Sequence, residues 1–322
     1  MDFNLTDVQR TWQTKAQRFA RELPASTDAH ALVVLAARAG LIEPQIDLLT
    51  AAVAVEAVAW ESTGAAMTLA LHAGVVSGLA EGALVPALVR GEKVGAIALS
   101  SEDVPSYDNG RVSGRTSWVA PLSDRALAIV GVRGNEGLEA IAVSLDSPGV
   151  TIEPVSAAGL MRLMCGHLRF DGAPFTAVGA TMPFMSRVRV LLAAAGIGMG
   201  RRALHEALSV ARGHTGRGAG GEQTVQGLLA DAATDLDAAR MLLWKAASSD
   251  DVSLADASMA KLAATEATQR AVAHATQVVG VDSFRSGHIV DQLAQDVRAL
   301  ELFAGRTESL REAVAAEILP SA

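Results

Sequence analysis

The chain has 322 residues, of which 50% are hydrophobic but only 4% aromatic, and a formal net charge of −8. That is about two domains' worth of chain with room for a large core, and an acidic balance without a basic stretch excludes a nucleic-acid groove. A single cysteine, Cys165, excludes an internal disulfide framework and a thiolate metal cluster, and fits a reducing, cytoplasmic setting.

The first residues carry no basic region and no apolar stretch of a secretory signal. The longest apolar run, Val190 to Gly200, is shorter than the ~20 residues a membrane span needs. The apolar mass is Ala, Val and Leu, and Ala and Leu favour helix, so a mainly α protein is expected. Residues 1–93 read as a helical domain. Thr6 with Gln9 three positions on fits a capping box, periodicity continues through Phe19, and Pro24 stops it. Ala51 to Trp60 and Gly64 to Leu79 follow as Ala-rich helices, and Val85 to Gly91 as a short one.

The texture changes at Val94. Pro105, Pro121, Pro148, Pro154 and Pro174 separate β-prone runs at Val94 to Leu99, Arg111 to Val119, Ala126 to Val132, Leu138 to Leu145 and Val150 to Ile152. Asp108-Asn109-Gly110 and Asp146-Ser147-Pro148-Gly149 are turn chemistry. Residues 94–180 are therefore expected to form a small β-barrel or sandwich. From Phe184 to Leu319 there is no proline. Helical patterns over about 184–211, 222–249, 253–279 and 289–317 predict a four-helix bundle in residues 181–322, which makes the whole α + β + α.

Each motif has two readings. Gly196-Ile-Gly198-Met-Gly200 resembles a dinucleotide turn, but its flanks are helical and no βαβ unit surrounds it, so small residues at a tight helix crossing are the better reading. Arg212 to Gly221 is a Gly-rich loop flanked by Arg212 and Arg217. It either wraps a phosphate with backbone N–H groups and a guanidinium or simply joins two helices. The seven histidines show no metal-ligand spacing. Cys165 is either a thiolate partnered by His167 or a buried apolar side chain. Trp118 is either core or a stacking wall for a flat cofactor. Asp291, Asp296, Glu301, Glu308 and Glu312 read mostly as a solvated or inter-helix face.

In order and spacing the chain resembles the acyl-CoA dehydrogenase family over nearly its whole length. Asp2-Phe-Asn-Leu-Thr-Asp-Val-Gln9 looks like that family's opening. Gly110-Arg-Val-Ser-Gly-Arg-Thr-Ser-Trp118-Val-Ala120 looks like its G-Y-x-L-N-G-x-K-x-W-I-T segment. Arg212-Gly-His-Thr215-Gly216 matches R-x-x-F-G, and Gln223-Thr-Val-Gln-Gly-Leu-Leu-Ala-Asp231 matches Q-x-V-Q-x-x-L-A-D. Gln277-Val-Val-Gly280 and Gln295-Asp296 match Q-x-x-G-G-x-G and R-D in part. The resemblance implies FAD, shared with a partner subunit, and pairing through the bundle. It implies that Trp118 and Ala120 stand where the family contacts the isoalloxazine, with Ser101-Glu102-Asp103 in place of Thr-Glu-Pro. It also implies that Arg212, with Thr215 in the same motif, reaches the pyrophosphate of the partner's FAD, and that Gln277 and Gly280 face that FAD.

The departures shape the functional expectation. The family's base, the Glu of Y-E-G-T, is replaced in Phe303-Ala304-Gly305-Arg306 by Ala304. The alternative base position falls on Val188, between Arg187 and Arg189. The segment from Ser101 to Trp118 is short, the family's Thr is Ala120, two family glycines are Val281 and Ser283, and the Arg of R-D is Gln295. Removal of the acidic α-proton needs a base, and losing one typically costs ~10²–10⁴ in rate. The resemblance thus implies the base-less partner of a heteromeric FAD-dependent acyl-CoA dehydrogenase acting on bulky, steroid-derived CoA thioesters. One alternative is an active homo-oligomeric dimer or tetramer with a relocated base at Glu301, one turn before Ala304, or next at Glu308. The other is a flavin-free scaffold.

Overall fold

The computed structural model describes residues 4–24, 26–79, 82–99, 103–134, 137–160, 163–213 and 222–319. Helix α1 (Asp7–Glu22) opens with the expected capping box. The Thr6 hydroxyl accepts the Gln9 N–H at 3.2 Å, and the Gln9 side chain accepts the Thr6 N–H at 2.9 Å. Helix α2 (Ala29–Arg38) was not marked by the sequence pattern, because ten residues of nearly uniform apolar character show no stripe. Asp28 caps it through the Ala31 N–H. Helices α3 (Leu48–Glu61), α4 (Thr63–Leu79) and α5 (Val85–Val89) complete this part.

Eight strands follow: β1 (Val94–Ala98), β2 (Ser106–Asp108), β3 (Arg111–Val119), β4 (Ala126–Arg133), β5 (Leu138–Ser144), β6 (Val150–Val155), β7 (Cys165–Pro174) and β8 (Thr176–Ala180). They form one mixed sheet in the order β6-β7-β3-β2-β4-β5-β8, with β1 parallel beside β4. β1 is buried along its whole length and β4 along all but its last residue, as strands covered on both faces should be. An Ile97–Ala120 bridge ties β1 to the end of β3. The sequence reading missed β2, β7 and β8. In β7 the signal was present: Leu168 and Phe170 are buried while Arg169 and Asp171 are exposed, a two-residue alternation.

The last third begins with α6 (Met182–Ala211), α7 (Gln223–Ala247) and α8 (Leu254–Val279). A 3-10 turn (Gly280–Phe284), α9 (Ile289–Leu302) and α10 (Thr307–Ile318) follow. The single helix expected over 289–317 is thus two. Ala304 and Gly305 adopt φ of 56° and 113°, and such left-handed conformations end a helix. α6 is buried on every side from Val188 to Gly200, which accounts for the long apolar run. Its glycines mark helix crossings and not a nucleotide turn. A Cβ on Gly196 would lie 2.6 Å from Leu300, one on Gly198 2.4 Å from the Glu56 carbonyl oxygen, and one on Gly200 2.4 Å from Leu236. Glu56 of α3 is buried beneath this seam and pairs with Arg201 of α6 at 2.6 Å and Arg240 of α7 at 3.0 Å. Among the described residues, no helix is long and apolar enough to cross a membrane.

Candidate functional site

The turn between α9 and α10 is built by two buried cations. Arg189 of α6 donates from Nε to the Ala304 carbonyl at 2.9 Å and from Nη1 to Ser258 Oγ at 2.8 Å. Lys261 of α8 donates from Nζ to the Gly305 carbonyl at 2.9 Å. Arg189 is 6% exposed and Lys261 0%, and no ion pair reaches either among the described residues. Burial accordingly pulls Arg189 down to about 10 and Lys261 down to about 7, with the Arg189 charge adding to the effect on Lys261. Gly305 is required here, since a Cβ would lie 2.9 Å from Arg189 Nη2 at a φ that side chains rarely adopt.

At Ala304 itself the side chain is a methyl group. Val188 is fully buried at the α4–α6 crossing, where a Cβ on Gly74 would meet it at 2.4 Å. Glu301 is half-buried on α9, and its Oε2 accepts from Gln269 of α8 at 2.9 Å. The expectation that Glu301 and Ala304 share a helical face does not hold in this form, because α9 stops at Leu302. Glu308 is exposed on α10. Asp296, expected on a solvated or inter-helix face, is buried and takes the inter-helix place. It accepts hydrogen bonds from the Thr63 hydroxyl and the Leu160 N–H, and burial raises its pKa. It ties α9 to α4 and to the segment before β7.

At the end of β3, Trp118 is 55% exposed with φ 55°, so it belongs to the surface and not the core. The His167 ring stands edge-on to it at 5.6 Å. Ala120 is fully buried, with its backbone paired to Ile97. Asp103 accepts a hydrogen bond from the Ser117 hydroxyl, while Ser101 and Glu102 lie outside the described residues. Cys165 is buried and desolvation raises its thiol pKa, so it stays protonated and the thiolate reading fails.

Arg212 ends α6 and Gln277 lies in the last turn of α8. Both side chains are exposed, and neither makes a hydrogen bond or ion pair among the described residues. Gly280 follows α8 at φ 69°. Thr215 and the rest of the Gly-rich loop through Gly221 lie outside the described residues. Ser283 turns inward and donates to the Gly280 carbonyl at 2.6 Å, whereas Val281 is 75% and Phe284 79% exposed.

The structure therefore joins Ala304 and Gly305 to Arg189, Ser258 and Lys261. No hydrogen bond or ion pair links Trp118, Arg212 or Gln277 to that group among the described residues. Sequence reasoning noted Arg189 only as a flank and missed Lys261 and Ser258. The available signal was a lysine set among Ala257, Ala260 and Ala264, all buried on α8. For the flavin that the resemblance implies, the outer set fits: an open guanidinium, an open amide and an indole wall. Ala120 offers no hydroxyl and is closed beneath the sheet. No group of three or more metal-ligating side chains occurs among the described residues.

Comparison with known proteins bears on the same regions. Residues 178–319 match the sequence family described as acyl-CoA dehydrogenase, C-terminal domain. The chain is 26% identical over 317 residues to the human mitochondrial short-chain specific acyl-CoA dehydrogenase, covering 86% of this chain and 77% of that one. It is 27% identical over 264 residues to the benzylmalonyl-CoA dehydrogenase of Aromatoleum aromaticum, covering 72% and 70%. The fold is similar to that of butyryl-CoA dehydrogenase from Megasphaera elsdenii, with a TM-score of 0.86 at 20% identity over 99% of this chain and 100% of that one.

Proposed function

Because this chain belongs to the acyl-CoA dehydrogenase family, we propose that it is the subunit of an FAD-dependent acyl-CoA dehydrogenase that contributes cofactor contacts and leaves proton abstraction to a sister chain. The observation that carries the reading is Ala304. The turn around it is held in place by Arg189 and Lys261, yet no carboxylate projects from that position or from Val188. Glu301, the remaining acid of α9 close to the turn in sequence, engages Gln269 of α8.

The chemistry that bound FAD would supply is acceptance of the hydride that leaves the acyl group. This chain's part is binding. An exposed guanidinium at Arg212 suits two pyrophosphate oxygens at once, and charge-assisted bonds of that kind are worth about 1.5–3 kcal/mol each. Gln277 adds an amide that both donates and accepts. Trp118 gives a flat apolar face, and the missing hydroxyl at Ala120 weakens the site within this chain in favour of the one shared with the sister. A steroid-derived acyl group would then lie in the sister's site.

Co-expression with a sister dehydrogenase that retains the Glu tests this. The complex is expected to carry stoichiometric FAD, and Arg212→Gln in it to weaken FAD binding at least about tenfold. An active, fully flavinylated homo-oligomer of this chain alone, inactivated by Glu301→Gln, would overturn the reading.

A further inference from the structure

Near its end β3 carries one residue more than its neighbour. Thr116 pairs with Leu168 of β7 and Val119 with Gly166, so Ser117 and Trp118 stand opposite His167 alone. A bulge of this kind bends the strand and re-aims a side chain. Here it leaves Trp118 more than half exposed at φ 55°, a conformation that bulky side chains rarely take. The Ser117 hydroxyl donates to Asp103, itself at φ 51°, which anchors the residue before the indole. The indole is met by the His167 ring, 5.6 Å between centroids at an angle of 71°.

Hydrogen bonding does not explain the histidine. Its Nδ1 is buried and has no partner among the described residues. Glu153, the residue opposite it on β6, is engaged by Arg115 at 3.2 Å and by Arg169 at 3.5 Å. A buried nitrogen left unpaired lowers stability, and so does a left-handed tryptophan. Both costs fall on one pair of touching rings, and folding calls for neither. A leucine or phenylalanine at 167 would avoid the first. The edge-on ring contact, by contrast, restrains an exposed side chain that would otherwise turn freely. A wall fixed before its ligand arrives binds more tightly, because the ordering cost has already been met.

We propose that His167 is the positioning residue of the Trp118 wall: packed edge-on from β7, it fixes the indole rotamer against which the flat ring of FAD stacks. This rests on the proposed role of Trp118 as a flavin contact. The bulge aims the indole outward, and His167 holds it there.

The test uses the full chain labelled with 5-fluorotryptophan, with FAD as the probe. Four tryptophans give four fluorine resonances, and Trp118→Phe identifies the one from Trp118. In the wild type that line is expected to be single and to move saturably with FAD. His167→Leu should shift or split it without FAD, and should weaken FAD binding about three- to tenfold, the range an aromatic pair is worth. His167→Phe keeps an edge-on ring and should restore both. Both variants should unfold at or above the wild-type temperature, and a clear loss of stability in His167→Leu would assign the residue to folding instead. A Trp118 line unmoved up to about 1 mM FAD would remove the stacking role of Trp118, and the proposal with it. If FAD moves the line but His167→Leu matches the wild type in line and affinity, the proposal alone is overturned. It is equally overturned if leucine at this position serves as well as phenylalanine.

Discussion

Among the described residues Lys261 donates one hydrogen bond, to a neutral carbonyl, and its ammonium is fully buried. Its folded pKa of about 7 lies below the ordinary 10.5. Between those values the unfolded chain holds a proton that the folded chain has shed. Stability from this group therefore rises with pH across that window, and the full burial cost is present below it. Lys261→Met should remove this dependence. Thermal unfolding of both proteins from about pH 6 to 10 should show the wild type gaining on the variant as pH rises. A pH-independent difference would contradict the unpaired charge. At the same turn, Gly305→Ala should cost roughly 2–3 kcal/mol, through a left-handed φ and a clash with Arg189, measurable by urea unfolding. The Thr6–Gln9 capping box was legible from sequence because its partners are three residues apart. The Arg189–Ala304 contact was not, because its partners are 115 residues apart and meet only through packing.

Among the elements, α6 organises the molecule, and its crossing glycines contrast with an open one in α7. Gly198→Ala should destabilise by about 1–3 kcal/mol, since the new methyl meets α3 backbone. Gly227→Ala in α7 meets nothing within 4 Å and should stabilise by about 0.5–1 kcal/mol. The contrast is readable in a pair of denaturant curves, and equal effects would contradict the crossing. Reading α6 as a buried helix was possible from its unbroken apolar run. Reading 289–317 as one helix failed because periodicity continues across Phe303–Arg306, while the break is set by Gly305 and by cations from α6 and α8. β7 was passed over because His167, Gly166 and Pro174 dilute an alternation that the β6 and β3 pairings complete.

For the whole molecule, the sequence carried the three-part order of helices, sheet and bundle, because hydrophobic period and proline placement change at Val94 and again past Pro183. It carried the candidate site less evenly. Ala304 and Arg212 became candidates by motif, whereas Trp118's exposure and Ala120's burial needed the sheet. Val281 and Phe284, exposed beside Gly280 and close in sequence to Gln277, mark a face that the proposed assembly would cover. Phe284→Asp should leave the isolated chain folded and reduce its recovery with a sister subunit in pull-down, and unchanged recovery would remove this face from the interface.

The most direct measurement is the flavin content and solution mass of the chain purified alone and with a sister dehydrogenase. The proposed role predicts little flavin absorbance alone and stoichiometric FAD in the mixed oligomer, reduced by Arg212→Gln. A homo-oligomer that binds FAD fully and dehydrogenates an acyl-CoA without any sister chain would contradict it.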